Sequence, residues 1–229
     1  MVTAVARRTP RTVMVTAALG ALVFAGALGG AALTRTVAAP STSTSPVPTT
    51  TPGPGADGCL REPCRVLGAA TLGDTRIELV ADSGGMTGRL RIGGPGASRV
   101  IEIADIGRIE ETGALQCYPA SISACLVRAR GPQGLTGKVV VGRSDKWSPL
   151  ERAYLSTADF LTLTNVVADS GPEVVAAQCA PEGCSGGVHA QVFTLAGVSV
   201  GCTREYTTAR ELPGYPSVDI GAARLRPCD

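Results

Sequence analysis

An uncharged apolar run from Val13 to Leu33 constrains this chain of 229 residues more than any other feature. At about 1.5 Å per residue, a helix over the run is roughly 31 Å long, which matches the ~30 Å hydrocarbon core of a bilayer. The length predicts a transmembrane helix over residues 13–34, because a cleaved signal peptide has an apolar core of only about 7 to 15 residues. Ala25-Gly26-Ala27 fits a small-x-small cleavage site, so secretion after cleavage remains the alternative.

The charges beside the apolar run predict its orientation. Arg7, Arg8 and Arg11 precede the run, and only Arg35 lies just after it. Such an excess of arginine marks the cytoplasmic side of a membrane. Residues 1–12 are therefore expected inside the cell, and the bulk of a single-pass membrane protein outside it.

A linker rich in Pro, Ser and Thr covers residues 35–57, and its composition is typical of an extended, poorly structured spacer. Residues 58–229 suit one extracytoplasmic domain. Four of the 21 basic residues lie at or before Arg35, whereas all 19 acidic residues lie beyond it. The domain is therefore slightly acidic, and we expect no binding to nucleic acid.

All eight cysteines lie beyond the apolar run and predict a disulfide framework, because export brings them into an oxidising compartment. Spacing favours the pairs Cys59–Cys64, Cys117–Cys125, Cys179–Cys184 and Cys202–Cys228, although many other connectivities are open. A four-thiolate zinc site built from the segments CLREPC and CAPEGC is the alternative, and oxidation argues against it. We predict no metal and no cofactor.

Short β-branched runs alternate with Gly-rich turns after Cys64 and predict an all-β domain of meanders. Within the second strands of the three sets, the aligned segments IELVAD, CLVRAR and EVVAAQ start at Ile77, Cys125 and Glu173, each 48 residues after the one before. A period near 48 with about four strands per unit is typical of propeller blades or arrays. We therefore predict three β-meander repeats, arranged as propeller-like blades or wrapped as a sandwich or barrel.

The individual strands are predicted from the same alternation. In chain order they are Arg65–Thr71, Arg76–Ala81, Thr87–Ile92 and Arg99–Ala104; Arg108–Cys117, Ala124–Arg130, Gly137–Gly142 and Leu150–Leu155; Phe160–Ala168, Pro172–Gln178, Val188–Leu195 and Val198–Arg204. Each set of four would form one meander.

The segment VVADSGPEVV, from Val166 to Val175, resembles the blade motif of FG-GAP/VCBS, integrin-like β-propeller repeats. In that family a short acidic turn leads into Pro-Glu and a β-run, and the matching residues here are Asp169, Gly171, Pro172 and Glu173. The resemblance extends around residues 160–204 and implies a propeller-type blade. The alternating acidic residues of the family's calcium loop are missing, so the resemblance gives little support to a calcium site. Three units are also fewer than the four to eight blades of closed propellers.

No motif predicts an enzyme. The only histidine, His189, lies in an alternating strand, and the sequence shows neither a nucleophile nor an orienting group beside it. Nucleophile elbows, metalloprotease helices and phosphate-binding loops do not occur. A hydrolase that uses a carboxylate pair is the alternative, but no spacing singles out two of the acidic residues.

Trp147, the only tryptophan, lies beside Asp145 in the polar segment SDKWSP, which is predicted to be a turn. Its ring would either anchor a ligand or fold inward into the core. Asp169 and His189 complete the candidate binding residues. The sequence thus predicts a binding or structural module of the cell envelope with an unknown ligand, and an accessory subunit of another membrane protein is a further alternative.

Overall fold

The computed structural model describes residues 60–93 and 99–228. These residues form strands and two short 3-10 helices but no α-helix, so the described chain is all-β, as predicted. No helix among them is long and apolar enough to cross a membrane. The predicted cytoplasmic residues 1–12, transmembrane helix 13–34 and linker 35–57 lie outside the described residues.

Thirteen strands make up the described part of the chain. They are β1 (Arg65–Leu72), β2 (Thr75–Ala81), β3 (Gly88–Ile92), β4 (Arg99–Ile103), β5 (Arg108–Ile109), β6 (Leu115–Tyr118), β7 (Ser123–Gly131), β8 (Gly134–Arg143), β9 (Lys146–Ser156), β10 (Leu161–Thr164), β11 (Glu173–Ala180), β12 (Gly183–Phe193) and β13 (Ser199–Cys202). The 3-10 helices are Ala209–Glu211 and Ala222–Arg224.

The strands form three antiparallel sheets, in which nearly all neighbours along the chain are neighbours in space. Sheet 1 has the order β1-β2-β3-β4 and sheet 3 has the order β10-β11-β12-β13. Sheet 2 has the order β5-β7-β8-β9, and β6 also pairs with β7. The strands β2, β7 and β11 contain Ile77, Cys125 and Glu173, the residues whose spacing is 48, and each of these strands is the second in the spatial order of its sheet.

One predicted strand, Arg108–Cys117, is interrupted in the structure. A turn separates β5 from β6, and Gly113 adopts a positive φ of 66° there, a conformation that favours glycine. Arg128 of β7 donates a hydrogen bond from Nε to the Gly113 carbonyl at 2.7 Å. This long-range bond satisfies the Gly113 carbonyl of the turn. The local sequence pattern gives no sign of the bond.

Sheet 2 is buried on both faces, because alternate residues of β7 enter two different cores. Cys125 and Val127 pack in the first core, which also contains Ile77 and Leu79 of sheet 1. The intervening residue Leu126 packs in a second core with residues of sheet 3. Because successive side chains of a strand point to opposite faces, β7 alone contributes both to the core shared with sheet 1 and to the core shared with sheet 3.

Sheet 3 is also covered on both faces. Val174 contributes to the second core, which it shares with sheet 2, whereas Val175 belongs to a third core. That third core is completed by Leu212, Val218 and Ile220, which are at most 2% exposed. They belong to residues 203–228, which we call the tail. The tail thus covers the sheet 3 face that no other sheet covers.

The outer face of sheet 1 carries a charged cluster instead of an apolar layer. Glu78 of β2 is only 3% exposed and accepts hydrogen bonds from Arg76 and Arg91, each at 2.8 Å. Two guanidinium groups satisfy both carboxylate oxygens, so the buried charge is compensated. This face ends the stack of sheets with polar groups.

Three disulfides lie within the described residues: Cys117–Cys125, Cys179–Cys184 and Cys202–Cys228. They are the three pairs that spacing predicts there. Cys64 is also disulfide-bonded, and the remaining predicted pair, Cys59–Cys64, involves a residue outside the described part. Because Cys179 and Cys184 are bonded to each other, the segment CAPEGC has no thiolate to offer a zinc ion.

Candidate functional site

The candidate contact residue Trp147 lies in strand β9, not in a turn. The turn between β8 and β9 consists only of Ser144 and Asp145, so Trp147 already pairs with Gly142 across the two strands. Its side chain is 5% exposed and belongs to the first core. Of the two alternatives, the structure contains the inward-folded ring.

Asp145 stays exposed at the tip of the same β8–β9 hairpin. The residue before it, Ser144, has a positive φ of 50°, and this conformation closes the tight turn. Asp145 thus lies at a hairpin tip, whereas the neighbouring Trp147 is buried. The two residues do not form a common contact surface.

Asp169 and Glu173, the acidic residues of the blade-like motif, hold the loop before β11. Asp169 accepts a hydrogen bond at Oδ1 from the Gly171 amide at 2.9 Å. Glu173, which is 2% exposed, accepts at Oε2 from the amides of Val166 at 2.7 Å and Val167 at 3.3 Å. This loop ends β10 at Thr164, so the predicted strand Phe160–Ala168 is too long at its C-terminal end.

Within the described residues there is no group of three or more His, Cys, Asp and Glu side chains that could hold a metal ion.

His189 lies in β12, opposite Gln178 of β11, and its side chain is half-buried. It lines a cleft of about 270 Å³ together with Glu205 and Arg226 of the tail. Among the four candidate residues, His189 is therefore the one that the structure brings against charged groups from a distant part of the chain. Those charged groups were not predicted as site residues.

The tail builds a larger cleft next to this one. We call it the tail cleft; it has a volume of about 520 Å³, and its lining residues are Arg204, Tyr206, Glu211, Pro213, Arg224 and Arg226. Three of these six side chains are arginines and one is a glutamate. The lining therefore carries a net formal charge of +2.

Two backbone bridges and a disulfide position the tail cleft on sheet 3. Tyr206 and Val188 exchange backbone hydrogen bonds of 2.7 and 2.8 Å. Arg226 and Cys202 exchange bonds of 2.8 and 2.9 Å, and the Cys202–Cys228 disulfide closes the chain two residues further on. The backbone on both sides of the cleft is therefore tied to the sheet.

The hydrogen-bond donors of the three arginines of the tail cleft have no partner among the described residues. Arg204, Arg224 and Arg226 are exposed, and none of their guanidinium groups forms an ion pair or a hydrogen bond with a described residue. The Arg204 guanidinium lies 4.5 Å from the centre of the Tyr206 ring, a cation–π contact that orients it without occupying its N–H donors.

Glu211, the one carboxylate of the tail cleft, has a local partner. Its Oε2 accepts a hydrogen bond from the Thr207 amide at 3.3 Å. Glu211 and Arg204 also line a neighbouring cleft of about 320 Å³, beside the β11–β12 hairpin residues Ser185, Gly186 and Gly187. The tail cleft thus shares Arg204 and Glu211 with the cleft beside the hairpin, and it shares Arg226 with the cleft of His189. The three clefts therefore form one polar surface along the tail.

A cleft of a different character lies between sheets 2 and 3. Its volume is about 420 Å³, and Arg143 and Lys146 lie at an otherwise mostly apolar lining. Both cations are exposed residues of the β8–β9 hairpin. This second cleft provides a natural comparison for the tail cleft, because it offers cations without a disulfide-tied backbone.

One sequence signal could have indicated the tail cleft. Arg204 lies two residues after Cys202, and Arg226 lies two residues before Cys228. The predicted pairing of these cysteines therefore already implies that the two arginines approach each other. Arg224 has no comparable signal, because its position depends on the 3-10 helix Ala222–Arg224, of which it is the last residue.

Comparison of the chain with protein-family models, with curated proteins and with solved structures found no match.

Proposed function

We propose that this chain is an extracytoplasmic binding module of the cell envelope, held at the membrane by residues 13–34, and that the tail cleft contains its ligand. The observation that carries the proposal is a cleft lined by three arginines whose guanidinium groups form no ion pair or hydrogen bond with a described residue. The disulfides of the described residues are typical of an oxidising compartment outside the cytoplasm.

The contrast with the arginines of the sheets favours binding over a purely structural role for the tail. Seven arginines of the sheets bond to carboxylates or carbonyls: Arg65 to Glu111, Arg76 and Arg91 to Glu78, Arg108 to Gly84, Arg128 to Gly113 and Leu161, Arg130 to Glu110 and Asp159, and Arg152 to Gly197. Arg89, Arg99 and Arg143 of the sheets form no such bond with a described residue, but no two of them line one of the clefts described above. The tail cleft instead collects three arginines that have no such partner. Donors aimed into a cleft are free to bind a ligand.

We further infer that sheets 1, 2 and 3 are three copies of one four-strand unit of the blade type that the FG-GAP/VCBS resemblance implies. The support is the equal spacing of the second strands together with the meander order of each sheet. Units that contact only their neighbours unfold in steps. Hydrogen exchange should therefore give the three sheets different protection, whereas one uniform level of protection would contradict the inference.

Co-sedimentation with envelope material tests the binding role. The full chain in non-ionic detergent is mixed with isolated envelopes of its source cells and compared with Glu211→Trp, which fills the tail cleft with an indole. Glu151→Trp is the matched control, because it removes the same charge and adds the same ring at an exposed position of β9.

The wild-type chain and Glu151→Trp should sediment with the envelopes, and Glu211→Trp should remain in the supernatant. If the wild-type chain sediments no more than it does without envelopes, the binding role is wrong. If Glu211→Trp sediments like the control, the ligand lies outside the tail cleft.

The anchored topology has a separate test. In intact cells, an external protease should degrade the domain, and the membrane fraction should retain a fragment that contains residues 1–34. Recovery of the intact chain from the culture medium would support the secreted alternative instead.

A further inference from the structure

We propose that the tail cleft binds phosphate or carboxylate groups of an anionic polymer through Arg204, Arg224 and Arg226. The proposal rests on the proposed function, because it names the ligand class of the same cleft. It goes beyond that function by assigning three residues as the contacts and by excluding neutral polymers as ligands.

The chemistry of the lining selects an oxyanion. A guanidinium group presents a planar fork of N–H donors that matches two oxygens of a carboxylate or phosphate. The cleft offers three such groups against the single carboxylate of Glu211, which already accepts a hydrogen bond from the Thr207 amide. An anion therefore meets an excess of unused donors and a net positive field.

The structure prepares at least two of the three arginines for binding. The backbone of Arg226 is held by its pair of hydrogen bonds to Cys202 and by the disulfide two residues further on. The Arg204 side chain is held against the Tyr206 ring, whose own backbone is bonded to Val188. Groups that are ordered before binding lose less entropy when the ligand arrives.

The extent of the polar surface favours a polymer over a free ion. Each arginine is exposed, so a single small anion would remain largely hydrated and screened by salt. The tail cleft shares Arg204, Tyr206 and Glu211 with the cleft beside the β11–β12 hairpin, and Arg226 with the cleft of His189. These two neighbouring clefts add the carboxylate of Glu205 and no further arginine or lysine. A chain of linked anions can nevertheless contact more than one of the three guanidinium groups of the tail cleft at once, which raises its overall affinity.

Anisotropy of fluorescently labelled polymers tests the proposal with the full chain in non-ionic detergent. The probes are polyphosphate, polygalacturonate and neutral dextran of similar length, and inorganic phosphate is the competitor that represents a free ion. The cleft variant is Arg204→Gln, Arg224→Gln and Arg226→Gln combined. The control combines Arg99→Gln, Arg143→Gln and Lys146→Gln, which removes the same charge from exposed positions of sheets 1 and 2.

At least one of the two anionic polymers should bind, dextran should not, and millimolar phosphate should displace the polymer only weakly. The cleft variant should lose at least tenfold in affinity, because each lost contact is a charge-assisted hydrogen bond, whereas the control should change less than threefold. Arg224→Gln alone should lose about threefold. Because the Arg224 side chain forms no hydrogen bond or ion pair with a described residue, this single variant controls for misfolding of the triple variant.

Equal losses in the two triple variants would overturn the proposal, since they would show binding to overall charge. A loss confined to the control would place the site in the cleft of Arg143 and Lys146. Phosphate that displaces the polymer at an equal concentration of anionic groups would reassign the ligand to a free ion. If no anion binds while the chain still sediments with envelopes, the ligand class is wrong but the proposed function stands.

Discussion

Gly142 shows how one missing side chain admits the only tryptophan to the core. A Cβ atom at this position would lie 2.7 Å from two atoms of the Trp147 ring, its cross-strand partner. Ordinary van der Waals contacts between carbon atoms are about 3.5 to 4.0 Å. The ring therefore lies over the backbone of a residue that has to be glycine.

Gly142→Ala should lower the free energy of unfolding by about 1–3 kcal/mol, because the added methyl group displaces the ring from its place in the core. Intrinsic fluorescence should shift to longer wavelength as Trp147 becomes exposed to water. Gly221→Ala is the control: no atom lies within 4 Å of the place that its new methyl group would take, so both readouts should stay within error. Unchanged stability of Gly142→Ala would contradict the packing described above.

Tyr154 makes the stability of the folded state depend on pH in the alkaline range. Its hydroxyl donates to the carbonyls of Thr194 and Leu195, both at 3.0 Å, and burial raises the pKa of the hydroxyl because the phenolate would be desolvated. The folded pKa therefore lies above the unfolded value of about 10. The stabilisation from this group is complete below the unfolded pKa and is lost as the pH rises through the folded pKa.

Tyr154→Phe should lower the free energy of unfolding by about 1 kcal/mol at pH 7, because the hydroxyl hydrogen bonds are lost. Chemical denaturation at about pH 10.5 should show a smaller difference, since only the wild-type chain loses stability by ionisation of this group. A difference that is constant or grows with pH would show that the Tyr154 hydroxyl is not the titrating group.

At the scale of elements, the side chain of Gln116 takes the place of a neighbouring strand. It donates from Nε2 to the Leu163 carbonyl and accepts at Oε1 from the Leu163 amide, both at 3.1 Å. The hydroxyl of Thr162 also donates to Oε1, at 2.9 Å. Gln116 of sheet 2 thereby satisfies the edge of β10 in sheet 3 and joins the two sheets by polar contacts.

Gln116→Leu should cost about 1–3 kcal/mol of unfolding free energy, because it leaves polar groups of β10 without partners. The amide of Leu163 should exchange with solvent faster than the other amides of sheet 3. Gln191→Leu is the matched control, since its side chain makes a single bond of 3.4 Å to Ser199. Equal exchange at Leu163 in both variants would contradict the bridging role.

Strands whose residues alternate between two environments could be predicted from the sequence, whereas turns held by distant side chains could not. The first predicted set, from Arg65 to Ala104, matches β1 to β4 to within about two residues at each end. The break after β5 depends on Arg128, which bonds to the turn from β7, and the break after β10 depends on Glu173, which accepts from amides of the loop that precedes its own strand. A local pattern contains no information about such partners.

The candidate site was harder to predict than the fold. Trp147 and Asp169 attract attention as isolated residue types, yet the structure uses one in the core and the other in a turn. The arginines of the tail look unremarkable in a sequence that has many. The backbone bridges of Tyr206 and Arg226 to sheet 3 and the bond between Cys202 and Cys228 bring Arg204 and Arg226 to one cleft. The sequence offers only the disulfide pairing as a signal of this.

At the scale of the whole described domain, the tail acts as a terminal layer for the stack of sheets. Leu212, Val218 and Ile220 cover sheet 3, while the Glu78 cluster ends sheet 1 with charge. Without the tail, the apolar face of sheet 3 that no other sheet covers would contact water. The same segment that closes the core also builds the tail cleft.

Removing the Cys202–Cys228 bond should therefore destabilise the domain more than removing a local bond. The loops closed by Cys202–Cys228 and Cys179–Cys184 differ in sequence separation, 26 against 5. The chain-entropy relation gives about 3.5 kcal/mol for the longer loop and about 2 kcal/mol for the shorter one. Denaturation of the two double Cys→Ala variants measures both values, and an equal loss would contradict the capping role of the tail.

The covalent link at the end of the tail also bears on when the protein matures. A newly made, reduced chain already contains Arg204 and Arg226, but nothing covalent yet holds them on the two sides of one cleft. Bond formation requires an oxidising compartment, so we expect copies still inside the cell to be incompetent for binding. Under the proposed function, the disulfide would thus delay anion binding until the chain has reached an oxidising compartment.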